Sequence, residues 1–152
     1  MKLDTTDIAI LNILQKDSKT TTKEIAFKLG LSVTAIYERI KKLERSKVIR
    51  QYTALLDRNL VERNFTVFCH IKLARHTKEF ISEFERQILR LEEVQECFHV
   101  SGDYDYILKI YVRNMETYRS FLVNKLTALN GIGSTQSTFV VNELKHHTVI
   151  KL

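Results

Sequence analysis

The chain has no proline and only four glycines in 152 residues. It therefore lacks the breaks from which flexible linkers and low-complexity tracts are built, and long disordered segments are not expected. Its two cysteines, Cys69 and Cys97, stand far apart, with no CxxC and no histidine pair at ligand spacing. That excludes a disulfide framework and signals no zinc site; the expectation is two buried, reduced thiols in a cytoplasmic protein. No stretch reaches the roughly 20 apolar residues a membrane span needs. The apolar part of MKLDTTDIAILNILQKD is interrupted by Asn12 and flanked by acids, so neither a signal peptide nor a membrane partner is expected. Catalytic signatures are missing too. There is no GxGxxG and no P-loop, and His70, His76, His99, His146 and His147 are scattered. His146 and His147 are neighbours, which in a strand would point to opposite faces. No enzyme, cofactor or metal site is expected.

What is present is a sizeable apolar fraction, 44%, enough for a core, and a formal net charge of +6. The charge is uneven. Residues 1–59 carry 12 bases and 7 acids, whereas residues 60–152 carry 12 bases and 11 acids. A basic module joined to a near-neutral one points to a nucleic-acid-binding part and a part with another task.

The basic module is organised by TTKEIAFKLGLSVTAIYERIKKLERSKVIR, residues 21–50. Thr21 followed by Glu24 is a capping box, and Gly30 can take the left-handed conformation that ends a helix. Only Leu31 precedes Ser32, an N-cap residue that opens a second helix. There Val33, Ile36, Ile40 and Leu43 form one apolar stripe, while Thr34, Glu38, Arg39, Lys41, Lys42 and Arg45 lie on the opposite arc. Ser32 to Arg50 holds six bases against two acids. Two helices joined by a short glycine turn, the second with a basic outer face, are the helix-turn-helix pattern, and double-stranded DNA is the expected partner.

Along the rest of the chain, Asp4 and Asp7 begin a first helix through about residue 15, carrying Ile8, Leu11 and Leu14. VIRQYTALLD reads as a strand, and DRNLVERN, residues 57–64, as a linker. Period-two alternation marks a strand at 66–73, helical spacing a helix at 78–91, and further strands fall at 94–100, 106–112 and 134–141, with a helix at 115–129. Strand, helix, strand, strand, helix, strand is the ferredoxin-like order. The reading is therefore α+β: a winged-type, three-helix helix-turn-helix domain over 1–56, a linker over 57–64, and a ferredoxin-like domain over 65–152. Two helices cover one sheet face and nothing remains for the other, so a homodimer at least is expected.

Three stretches, LDTTDIAILNILQKDSK, EIAFKLGLSVTAIYERIKKLERSKVIRQYTALLD and EEVQECFHVSGDYDYILKIYV, resemble the Lrp/AsnC family of feast/famine transcriptional regulators, and the resemblance covers nearly the whole chain. It implies an N-terminal DNA-binding domain, a C-terminal ligand-binding and oligomerisation domain, dimers that often build into octamers, and amino acids as effectors. The family's recognition helix matches Ser32 to Glu44, which makes Ser32, Thr34, Ala35, Glu38, Arg39 and Lys42 the expected DNA-contacting residues. The family's effector site matches Gly102, Asp103, Tyr104 and Asp105 in the GDYD turn, together with Asn114, Thr135 and Ser137. This chain has Val33 and Ala35 where many relatives have prolines, and Asn114 where many have aspartate. Taken without the resemblance, GDYD reads as a tight turn between strands. The rival reading from composition is an architectural protein that packs DNA through phosphates, without sequence preference or ligand.

Overall fold

The computed structural model describes residues 2–152, with ten helical and strand elements. By contacts the chain divides into two compact units. One comprises the N-terminal residues through Leu55 together with Leu144–Leu152; the other is Leu56–Glu143. The sequence reading carried the second domain through to residue 152, but the last nine residues belong to the first unit. They are fastened by Gln15, whose side-chain amide accepts from the Ile150 N–H at 2.7 Å and donates to its carbonyl at 3.1 Å.

The first unit holds α1 (Thr5–Lys16), α2 (Thr22–Leu29) and α3 (Val33–Arg45). Each start is fixed by a side chain that satisfies an otherwise orphaned amide. Asp4 and Asp7 form a capping box on α1, Thr21 and Glu24 form one on α2, and Ser32 Oγ accepts from the Ala35 amide on α3. Gly30 ends α2 at φ +65°, a conformation that only glycine adopts cheaply. Ile10, Leu11, Leu14, Ile25, Ala26, Ile36 and Leu43 close the core. Val33, expected on the inner stripe, is exposed at the first position of α3. Residues 48–57, expected as a strand, form none, because a strand is defined by pairing and this segment has no ladder partner.

The second unit contains β1 (Phe65–Leu73), α4 (Lys78–Ile88), β2 (Val94–His99), β3 (Tyr106–Val112), α5 (Met115–Phe121) and β4 (Ile132–Phe139). α5 continues through one π-type turn, Leu122–Leu126. The sheet runs β2-β3-β1-β4, antiparallel throughout. This is the ferredoxin-like order read from the sequence. Alternation on β1 and β3 places Val67, Cys69, Ile71, Leu73, Tyr106, Leu108, Ile110 and Val112 in one core with Phe84, Ile88, Tyr118, Phe121 and Leu126. The opposite sheet face carries Phe68, His70, Ile107, Lys109, Phe98 and Gln136, in register across all four strands.

Candidate functional site

The outer arc of α3 is built by its cap and its stripe. Ser32 holds the helix start, with its Oγ 3.1 Å from the Ala35 N–H, and burial of Ile36 and Leu43 turns the opposite arc to solvent. Ser32, Thr34, Glu38 and Lys42 are exposed there and Ala35 is half-buried. Arg39 departs from the expectation. Its guanidinium donates to Asp4 Oδ2 and to Asp7 Oδ1, each at 2.7 Å, and Asp7 is only 2% exposed. A buried carboxylate requires a cation, and Arg39 supplies it. Arg39 is thus a brace between α3 and the start of α1 through its Nη1 alone, with about a third of its side chain still exposed (33%). The α1 amide of Asp7 and the Arg39 guanidinium together hold the Asp4 carboxyl below its ordinary range.

Farther along the same helix, Lys41 Nζ lies 2.8 Å from Glu44 Oε2, and Glu44 Oε1 accepts from the Tyr52 hydroxyl at 3.0 Å. Partial burial, reinforced by that carboxylate, pushes the Tyr52 phenol up to about 12. The Lys41 ammonium also sits 5.7 Å from the centre of the Tyr37 ring.

The GDYD turn is stitched to β1 and β4. Gly102 has φ +141°, in a region that disfavours side-chain-bearing residues, and Asp103 is exposed. Asp105 Oδ2 accepts from the Leu73 N–H at 2.7 Å, and its Oδ1 lies 2.8 Å from His76 Nε2. The Leu73 amide, more than the histidine, lowers the Asp105 carboxyl. Tyr104 donates its hydroxyl to Gln136 Oε1 and stacks obliquely near His70, ring centres 5.2 Å apart. Thr135 pairs with core-facing Ile71, so its side chain lies on the helix-covered side of the sheet, opposite the face of His70 and Gln136.

Neither Asn114 nor Ser137 adjoins the turn. Asn114 lies beyond the far end of β3, a strand that spans about 20 Å at strand rise, too far for one amino acid to touch both it and Asp105 within a chain. Its Oδ1 caps α5 by accepting from the Thr117 N–H at 2.9 Å, a job a neutral amide does well. Ser137 is paired with buried Cys69, and its Oγ lies 2.5 Å from the Tyr118 hydroxyl, toward the helix-covered core. Burial raises both the Tyr118 phenol and the Cys69 thiol. The sequence reading missed His76, Gln136 and His70 as neighbours of the turn. Period-two alternation would have grouped His70 with the uncovered face, but only strand register reveals Gln136 beside it.

Among the described residues no group of histidine, cysteine and acidic side chains could hold a metal ion, and no helix is long and apolar enough to cross a membrane.

Comparison with known proteins agrees with this architecture. Residues 3–44 match the AsnC-type helix-turn-helix domain, and residues 66–150 match the Lrp/AsnC ligand binding domain. The leucine-responsive regulatory protein of Escherichia coli is 41% identical over 143 residues, covering 94% of this chain and 87% of that protein. An AsnC family transcriptional regulator from Agrobacterium tumefaciens superposes with a TM-score of 0.94 at 36% identity, over 98% of this chain and 97% of the other. A transcriptional regulator from Neisseria meningitidis, solved as a complex with L-methionine, gives a TM-score of 0.93 at 32% identity, over 99% and 97% of the two chains. With both domains matched in order and the fold reproduced end to end, this chain belongs to the Lrp/AsnC family of transcriptional regulators.

Proposed function

We propose that this regulator reads DNA with the outer arc of α3, through Ser32, Thr34, Ala35, Glu38 and Lys42, and that a free amino acid at the turn Gly102–Asp105 shifts its assembly or its DNA affinity. The observation that carries the reading is the exposed arc of α3 itself. It is polar, rich in bases, and begins at a capped helix N-terminus whose free amides suit a phosphate. Lys42 supplies phosphate affinity, while Thr34, Ala35 and Glu38 are short enough to approach base edges. The amino-acid effector is supported by the match of residues 66–150 to a ligand-binding domain and by the L-methionine complex of the Neisseria relative. The uncovered sheet face, with Phe68, Ile107 and Phe98 in register, supports a homodimer, and four such dimers would build an octamer. Two recognition helices in one dimer would meet successive major grooves about 34 Å apart. An effector acts on such a system only through unequal affinity for its states.

The test combines two measurements. DNA selected from a random pool is challenged with excess non-specific DNA at moderate salt; a regulator retains its site, and complete displacement would favour sequence-independent packing. The same protein is then screened for thermal stabilisation by each of the twenty amino acids, with light scattering on each sample. One amino acid that raises the melting temperature and changes particle mass supports the effector reading, and a flat response to all twenty sinks it.

A further inference from the structure

We propose that Tyr37 is a base-reading residue of the recognition helix, its ring receiving the C5-methyl group of a thymine in the major groove. The inference rests on the DNA-binding reading of α3 and gives it a specific chemistry. On this helix the large apolar side chains Ile36 and Leu43 are fully buried, but Tyr37 leaves 49% of its surface in water. It stands one helical turn after Thr34 and four residues before Lys41, on the flank of the exposed arc and in the N-terminal half of the helix. That half is the part of a recognition helix that approaches base edges.

Tyr37 is also held in place. The Lys41 ammonium lies 5.7 Å from the ring centre, Lys41 is bonded to Glu44, and Glu44 is bonded to Tyr52. This ladder fixes a cation on one side of the ring and leaves the remainder of the ring as apolar surface within a polar arc. A ring already held loses less freedom when a ligand arrives. Arg39, the residue best suited to guanine, has its Nη1 engaged by Asp4 and Asp7. Thr34, Ala35, Glu38 and Tyr37 carry no such ties to the first helix. The major groove displays one apolar group, the thymine methyl, and Tyr37 offers the one aromatic surface on α3 to meet it.

The experiment uses the full-length protein and a duplex selected by it from a random pool. Each thymine is replaced in turn by deoxyuridine, which removes the C5-methyl and nothing else, and affinity is read by fluorescence polarisation. For the wild-type protein, replacement of one thymine in each half-site weakens binding about fourfold, the loss of one buried methyl group. In Tyr37→Ala the same replacement has no effect, while Tyr37→Phe keeps it. Tyr37→Gln provides a second reading through selection alone: the preferred base at that position moves toward adenine, which glutamine can engage through two hydrogen bonds. Thermal unfolding of each variant confirms that it folds. A wild-type protein that selects a defined sequence yet is indifferent to every deoxyuridine overturns the role of Tyr37 alone, as does a Tyr37→Ala variant that still discriminates. A wild-type protein that selects no sequence overturns the DNA reading and this inference with it.

Discussion

Arg39 shows how one side chain can satisfy a pattern and serve another purpose. From spacing alone it lies on the polar arc of a basic helix, yet its guanidinium bridges Asp4 and nearly inaccessible Asp7. Arg39→Ala would leave the buried Asp7 carboxylate without its cation. Because Arg39 itself remains partly exposed, the expected loss is about 1–3 kcal/mol, below that for a fully buried pair. Urea unfolding should show this as a lower midpoint, with Arg39→Lys recovering part of it. Lys42 is the contrasting case. Lys42→Ala should leave the urea midpoint in place, weaken binding to all DNA sequences alike, and reduce the salt slope by about one. The lowered carboxyl of Asp4 adds a pH dependence. A carboxylate depressed in the folded state stabilises at pH above its unfolded value of about 3.9, and that contribution disappears as pH falls through the folded value. Lowered Asp105 acts in the same direction in the other unit. The melting temperature should therefore be insensitive to these two groups between pH 7 and about pH 5 and decline below about pH 4. Arg39→Ala should flatten the part of that decline that belongs to the helical unit.

At the scale of elements, short signals place each helix and turn. The α2–α3 corner depends on Gly30 at φ +65°, where an added Cβ would meet no atom within 4 Å. Gly30→Ala thus carries only the backbone cost of the left-handed conformation, about 1 kcal/mol, and Gly30→Asn less, measurable by chemical denaturation. The GDYD turn is fastened through Asp105, which holds the Leu73 amide and faces His76, so its carboxylate is already engaged. What the turn leaves for an effector is the exposed stretch Gly102–Asp103. At φ +141° Gly102→Ala forces this stretch to rearrange, and amino-acid-induced thermal stabilisation should diminish while the sheet's circular dichroism is retained. Asn114 illustrates the opposite outcome. A residue expected beside a ligand is a helix cap, and Asn114→Asp should keep the cap and leave the effector response as it was.

At the scale of the whole molecule, the second unit is a sheet with one covered face. Phe68, His70, Ile107 and Phe98 lie together on the other, with Lys109 paired to Glu96 across β2 and β3. Exposed apolar residues on a sheet favour association, and a charge at their centre opposes it. Phe68→Asp should shift sedimentation toward monomer without lowering the stability of the helical unit. The first unit is completed by a segment from the opposite end of the chain, since Leu144–Leu152 belong to it and Ile150 is held by Gln15. No local pattern announces such an arrangement, because a tail that contributes backbone hydrogen bonds carries little periodicity of its own.

The sequence by itself did not reveal that residues 48–57 lack a strand partner, but it determined the five helices' starts, the four strands of the sheet and their order, and that α3 turns a basic arc outward. These are local matters: capping oxygens, period-two and period-3.6 burial, and glycine at a left-handed corner act over a few residues. Tertiary structure alone decided the partners of the polar groups. Asp4 and Asp7 lie more than thirty positions from Arg39, and Gln136 lies 32 from Tyr104. Pairings at that separation follow from how helices cross and how strands register, so the long-range packing made Arg39 a brace and turned Ser137 toward the core, whereas the Asn114 cap on α5 is a local bond to Thr117.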